Sequence, residues 1–156
     1  MRVTGGQWAG RTLAVPPGLG VRPTPDKVRQ AIFNSLGPWI LDCTVLELFA
    51  GSGALSFECL SRGAASALCV EKSAKHAGFI KRNVNDLGAT VELRVADALR
   101  TVRQLGEAER TFDFIVADPP YGDKTAPGKD LVSPELAAKL GDYPTLGREA
   151  VARLPN

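Results

Sequence analysis

Val45-Leu46-Glu47-Leu48-Phe49-Ala50-Gly51-Ser52-Gly53-Ala54-Leu55 reads as a buried strand, a glycine turn and the first turn of a helix. Val45, Leu46 and Leu48 form a short apolar run of the kind found in a parallel strand covered on both faces. Gly51 and Gly53 let the backbone turn sharply and let a ligand approach with no Cβ in the way. The helix that follows would aim unpaired N–H groups back at that ligand. A lone Gly-x-Gly is weak, but Glu71 stands twenty positions beyond Gly51, at the end of the next strand candidate. A carboxylate there is placed to hold a ribose hydroxyl pair.

The third glycine of a dinucleotide fingerprint is missing, because its position holds Ser56. Glu47 adds negative charge beside the turn, which opposes a pyrophosphate and suits a cationic or zwitterionic ligand. S-adenosylmethionine carries an ammonium, a sulfonium and a ribose, and so fits better than NAD.

Outward from this stretch the pattern is regular. Residues 1–21 read as a small basic β-hairpin, with Arg2-Val3-Thr4 and residues 11–15 as strands around Gly5, Gly6 and Gly10. Arg2, Arg11 and Trp8 are of the types that contact phosphate and a base, although Trp8 serves equally to pin the hairpin to the domain. Thr24 is read as an N-cap and Pro25 as the first residue of a helix with Val28, Ala31, Ile32, Ser35 and Leu36 inward. A helix over 54–62 follows the turn. A strand over 67–70 ends at Glu71, and a helix over 73–87 turns Ala77, Ile80, Val84 and Leu87 inward. Strand three, 91–95, alternates like an edge strand and is followed by Asp97. A short helix leads to a fourth strand, 112–117, and to Asp118-Pro119-Pro120-Tyr121. Alternating strands and helices predict a parallel α/β sheet with right-handed crossovers, so that Gly51, Glu71, Asp97 and Asp118 meet at one rim. His76, the single histidine, reads as structural or surface.

Two prolines in a row remove two N–H donors and keep their carbonyls. Asp118 and the Pro119 carbonyl then form an acceptor pair suited to an exocyclic NH₂ group, with Tyr121 as a flat face for the ring. Methyl transfer to such an amine depends on in-line positioning and on stabilising the charge that develops on nitrogen.

The 156 residues predict one domain, with 44% hydrophobic and 23% charged residues as in a soluble globular protein. No apolar run is long enough for a bilayer and no signal-peptide core opens the chain, so a cytoplasmic protein with no membrane partner is expected. Cys43, Cys59 and Cys69 lack metal-type spacing and read as buried free thiols, and no metal is expected. Net charge is +2, but residues 1–41 set Arg2, Arg11, Arg22, Lys27 and Arg29 against Asp26 alone, a balance of +4 that leaves −2 for the rest. That end suits an anionic partner such as nucleic acid, or is simply a solvated surface.

These residues together resemble the bacterial small-subunit ribosomal RNA guanine-N2 methyltransferase family. The likeness runs through Arg2-Val3, Gly5-Gly6, Gly10-Arg11, Arg22-Pro23-Thr24, Asp26, Val28-Arg29, Phe33-Asn34, residues 49–55, residues 61–64, Val70-Glu71-Lys72, Asn83, Asp97-Ala98 and residues 118–121. It covers about residues 1–122, and Glu47 stands where the family more often has aspartate. The resemblance implies a Rossmann-like class I methyltransferase fold: a mostly parallel sheet with helices on both faces and an N-terminal hairpin (1–21) before a catalytic domain (22–156). It implies S-adenosylmethionine as donor and no metal, and a guanine in 16S rRNA as acceptor, on an assembling 30S subunit, by a monomer. Donor contacts fall on Glu47, Phe49, Ala50, Gly51, Ser52, Gly53, Glu71, Lys72, Asp97 and Ala98, with Glu71 on the ribose and Asp97 near the adenine. Asp118, Pro119, Pro120 and Tyr121 face the target base. Arg2, Trp8, Arg11, Arg22, Thr24 and Arg29 are the candidate RNA contacts. After Tyr121 the sequence shows no β-rich run, only short helices at 133–140 and 148–154, so the C-terminal part of the sheet reads as truncated and strand four as an open apolar edge. An adenine-N6 methyltransferase and a catalytically incomplete RNA-binding remnant are the competing expectations.

Overall fold

The computed structural model describes residues 1–17 and 25–118, and the backbone of 150–152. The elements are α1 (Asp26–Leu36), a 3-10 turn (Gly37–Ile40), β1 (Thr44–Leu48), α2 (Ala54–Ser61), β2 (Ser66–Glu71), α3 (Ala74–Leu87), β3 (Glu92–Val95), α4 (Ala98–Glu107), β4 (Phe114–Ala117) and β5 (Ala150–Ala152). The sheet order is β3-β2-β1-β4-β5. β1 pairs in parallel with both β2 and β4, and β2 with β3. The chain steps outward from β1 to β3 and then returns to the other side of β1. That reversal lies between β1 and β4, where an open α/β sheet leaves a crevice at its carboxyl edge. This is the parallel α/β arrangement that the strand and helix periodicity predicts and the Rossmann-like fold that the resemblance implies.

β1 is buried almost throughout because both its faces are covered. Leu46 and Leu48, with Leu68, Val70, Ile115 and Ala117, pack on one face against Ala98 and Leu105 of α4. Val45, Ala67, Phe114 and Val116 pack on the other against Phe33 of α1 and Leu55, Cys59 and Leu60 of α2. α2 lies wholly inside, with all eight residues buried, including Ser56, Glu58 and Ser61. α3 is capped by Ser73, whose hydroxyl accepts the His76 N–H, and closes on Gly88 in the left-handed conformation (φ +65°). β3 is an edge strand, as its alternation predicts. The thiols of Cys59 and Cys69 are buried and pushed upward, first by desolvation and then by the Glu47 charge, while Cys43 is only half-buried.

The N-terminal hairpin has a single antiparallel bridge, Arg2 to Thr12, with Val3 and Leu13 buried against α2 and α3. Its attachment is polar and interior. The Glu58 carboxylate accepts from the Thr4 N–H (2.8 Å) and the Thr4 hydroxyl (2.6 Å), pairs with Arg62 (2.9 Å) and lies 3.9 Å from Arg29. The Ser61 hydroxyl donates to the Gly5 carbonyl (2.6 Å) and accepts from the Trp8 N–H (2.9 Å). A Cβ on Gly6, which has φ +76°, would stand 1.8 Å from the Ser61 carbonyl oxygen, so only glycine allows this contact.

Three expectations are corrected here. α1 begins at Asp26 with Pro25 in the cap position, and its buried residues are Arg29 and Phe33; of the expected inward residues Ile32 and Leu36 pack half-buried against the core, whereas Val28 is 42% exposed and Ala31 and Ser35 face out. The inward face includes the buried, ion-paired Arg29 beside these apolar residues, and apolar periodicity does not see a buried arginine. Residues 150–152 form a strand rather than a helix, and β5 pairs antiparallel with β4, so that edge is not open. The helix expected at 133–140 and the Thr24 cap lie outside the described residues. Among the described residues no helix is long and apolar enough to cross a membrane.

Candidate active site

Three residues around the turn take left-handed backbone angles: Phe49 (φ +59°), Gly51 (+56°) and Gly53 (+76°). Phe49 is the unusual one, since a side chain there costs energy that surrounding contacts must offset. Those contacts are visible. The Ala50 N–H donates to the Val70 carbonyl of β2 (3.0 Å) and the Gly53 N–H to the Ala50 carbonyl (2.7 Å). The Gly51 N–H donates to Glu71 Oε2 (2.7 Å) and the Ser73 N–H to Glu71 Oε1 (2.8 Å), so one carboxylate staples the turns that follow β1 and β2. Each carboxylate oxygen accepts more than one hydrogen bond, and Glu71 keeps capacity for a ligand hydroxyl.

The turn differs from a phosphate cradle. The N–H groups of Ala50, Gly51, Gly53 and Ser56 are all engaged by protein acceptors, two of them carboxylates. A Cβ built on Gly51 meets nothing within 4 Å among the described residues, so the turn faces space that they leave open. Anionic acceptors with few free N–H groups around that opening favour a cation over a pyrophosphate.

Glu47 is 3% exposed, and its carboxylate accepts the Ser56 N–H at 2.9 Å. Burial raises its pKa from the ordinary 4.5 to about 7; hydrogen bonds from Ser56 and Leu55 work against this and the Asp118 charge adds to it. Among the described residues no cation pairs with it. The register of Leu48 with Ala117 sets Asp118, half-buried just beyond β4, beside the start of the glycine turn, close enough for its charge to act on Glu47. Asp97 caps α4 by accepting the Arg100 N–H (3.2 Å), which is also the main reason its carboxyl is held below the usual range, and it meets Lys72 at 3.5 Å. Lys72 is mostly exposed, whereas the methyl groups of Ala50 and Ala98 point into the core and leave only their backbone for a ligand.

Two residues near the site carry no role in the sequence reading. His76 Nδ1 lies 3.9 Å from Glu71 Oε1, and its position in the first turn after Glu71 was the available signal. Asn83 is fully buried and donates to the Ser52 carbonyl at 3.0 Å; its place between Ile80 and Val84 on the inward stripe was a signal of burial, not of bonding.

The candidate RNA contacts separate. Arg2 and Arg11 are exposed, and Arg11 also donates to the Asp86 carbonyl at the end of α3. Trp8 is half-buried between two core clusters and pins the hairpin. Arg29 is corrected: it is 0% exposed, paired with Asp26 at 2.9 Å and bonded to the Arg2 carbonyl, so its charge is spent inside the fold. Arg22, Thr24, Pro119, Pro120 and Tyr121 lie outside the described residues.

The family described as conserved hypothetical protein 95 matches residues 1–152. The chain belongs to this family. "Ribosomal RNA small subunit methyltransferase D" of Escherichia coli K12 is 40% identical over 121 residues, covering 78% of this chain and 60% of that relative. The chain thus spans less than two thirds of that relative's length. The structure of a hypothetical protein of Thermus thermophilus superposes with a TM-score of 0.77 at 25% identity, covering 97% of each chain. The SAM-dependent methyltransferase of Agrobacterium tumefaciens superposes with a TM-score of 0.55 at 25% identity, over 65% of this chain and 33% of that one. This family member therefore shares its sheet with a methyltransferase and carries at that sheet's switch point three strand-end carboxylates, Glu47, Glu71 and Asp118.

Proposed function

We propose that this chain binds S-adenosylmethionine at the glycine turn and transfers its methyl group to the exocyclic N2 of a guanine in 16S rRNA. The observation that carries this reading is the glycine turn whose Gly51 N–H is held by Glu71 and which follows the strand end that carries Glu47, with Asp118 at the end of the neighbouring strand. It suits a ribose and two positive centres, and it is poor for a polyphosphate. Glu71 would accept the ribose hydroxyls, Glu47 would face the positive methionyl end, and Asp97 would border the adenine. Bound there, S-adenosylmethionine supplies an electrophilic methyl group. Asp118 would accept an N–H bond from the target amine, hold its nitrogen in line with that methyl, stabilise the positive charge as it develops, and take up the proton the nitrogen sheds. In this reading the Pro119 carbonyl and Pro120 shape the acceptor pair and Tyr121 stacks on the base. Arg2 and Arg11 would hold RNA phosphates, with Arg22 and Thr24 alongside. The name of the E. coli relative supports a small-subunit RNA substrate. The setting is a cytoplasmic monomer acting on an assembling 30S subunit.

The test is labelled methyl transfer to small-subunit particles from cells that lack the endogenous enzyme, with nucleoside analysis of the product. N2-methylguanosine is expected, and N6-methyladenosine would transfer the assignment to the adenine enzymes. Asp118→Ala should abolish transfer, by at least about a hundredfold, while S-adenosylhomocysteine affinity stays within about twofold. Wild-type turnover in that variant removes Asp118 from the chemistry.

A further inference from the structure

We propose that Asn83 is a positioning residue that ties the order of the N-terminal segment to occupancy of the glycine turn; this rests on the donor-site reading above. Asn83 lies on the inward face of α3 with no exposed surface. Its Oδ1 accepts the Ala14 N–H at 2.7 Å, and its Nδ2 donates to the Ala14 carbonyl at 2.9 Å and to the Ser52 carbonyl at 3.0 Å. One amide thereby holds both backbone groups of a residue leaving the hairpin and also the central peptide of the turn. That peptide is fixed at its other end, where the Gly53 N–H donates to the Ala50 carbonyl at 2.7 Å.

The chemistry explains the residue type. Aspartate accepts from Ala14 but donates to neither carbonyl, and an apolar side chain strands three backbone groups in the interior. The turn cannot shift on donor binding without carrying Asn83, and Asn83 cannot move without Ala14. Ala14 is the point from which the chain runs on toward Arg22. Coupling of this kind is reciprocal: a donor that rigidifies the turn also orders residues 13–17, and a loosened segment weakens the donor. The hairpin side of the molecule thus reports whether the donor is in place.

The test is amide hydrogen exchange at Ala14 in the full chain, with and without saturating S-adenosylhomocysteine, beside calorimetry of the same compound. In the wild type the compound should slow Ala14 exchange by at least about fivefold. Asn83→Ala should bind it about tenfold more weakly and show no slowing at saturation. Leu105→Ala, buried on the opposite face of the sheet, lowers stability without touching either segment and should keep the slowing. Wild-type binding with unchanged Ala14 exchange overturns the inference, as does full slowing in Asn83→Ala or its equal loss in Leu105→Ala. If Asn83→Ala does not fold, the wild-type comparison decides alone. No heat with the wild type instead rejects the donor site itself.

Discussion

The two ends of α2 solve the same problem in opposite ways. At its C-terminal end the buried carboxylate of Glu58 is surrounded by the protein's own donors: Arg62, Arg29, the Thr4 N–H and the Thr4 hydroxyl. At its N-terminal end Glu47 is almost equally buried, but its donors are all neutral, the Ser56 N–H and hydroxyl and the Leu55 N–H, and among the described residues it has no cation. The glycines differ in the same sense. Gly6 is needed because protein fills the space where a Cβ would go, whereas Gly51 borders space that none of the described residues fills. One end is a completed joint and the other is a joint lacking its last piece. Burying a charge without its partner is costly, so a fold that keeps such a charge at a sheet's carboxyl edge is read most simply as awaiting a positive ligand.

The largest effect expected from breaking this contrast is at the closed end. Arg29→Ala removes the Asp26 pair and the bond to the Arg2 carbonyl and leaves Glu58 with one guanidinium. Unfolding in urea should show a loss of about 3–5 kcal/mol. A loss under about 1 kcal/mol would mean that the hairpin is not held by this network.

The open end should show itself in pH dependence. The pKa of Glu47 is raised from 4.5 to about 7 in the folded state. Between those values the folded protein holds a proton that the unfolded chain has released, so stability falls as pH rises through this window and then levels off. The drop is on the order of 3 kcal/mol, and Glu47→Gln should flatten that part of the profile relative to wild type. Parallel profiles in the two proteins would show that Glu47 is not the strained carboxyl. Saturating S-adenosylhomocysteine, which keeps the ammonium but not the sulfonium, should shrink the wild-type drop only in part.

Gly51→Ala makes the finest cut. The new methyl meets no atom of the described residues, and strain from φ +56° should cost only about 1 kcal/mol of stability. Donor affinity should nevertheless fall by about tenfold or more, because the methyl enters ligand space. Unchanged affinity in calorimetry would place the ligand elsewhere.

Most of the scaffold was legible in order along the chain. Apolar runs for β1, β2 and β4, alternation for β3, Ser73 and Gly88 bounding α3, and acids at or just past strand ends are local signals, and local periodicity reflects which face an element buries. They were enough to bring Gly51, Glu71, Asp97 and Asp118 to one edge, because right-handed crossovers leave little freedom in where strand ends go. The short strand β5 was not legible, since three residues carry too little pattern to be told from a helix.

What the linear sequence determined, then, was the α/β class, the glycine turn and the identity of the carboxylates near it. Only the tertiary structure decided which charges are spent inside and which face a ligand. Arg29 looks in sequence like any exposed helical arginine, and Glu47 and Glu58 look alike. Burial and pairing come from contacts between Glu58 and Thr4, or between Asn83 and Ala14, that lie 54 and 69 positions apart. An ion's fate depends on its solvation and its neighbours, and neither is a property of the residue or of the residues beside it in the chain.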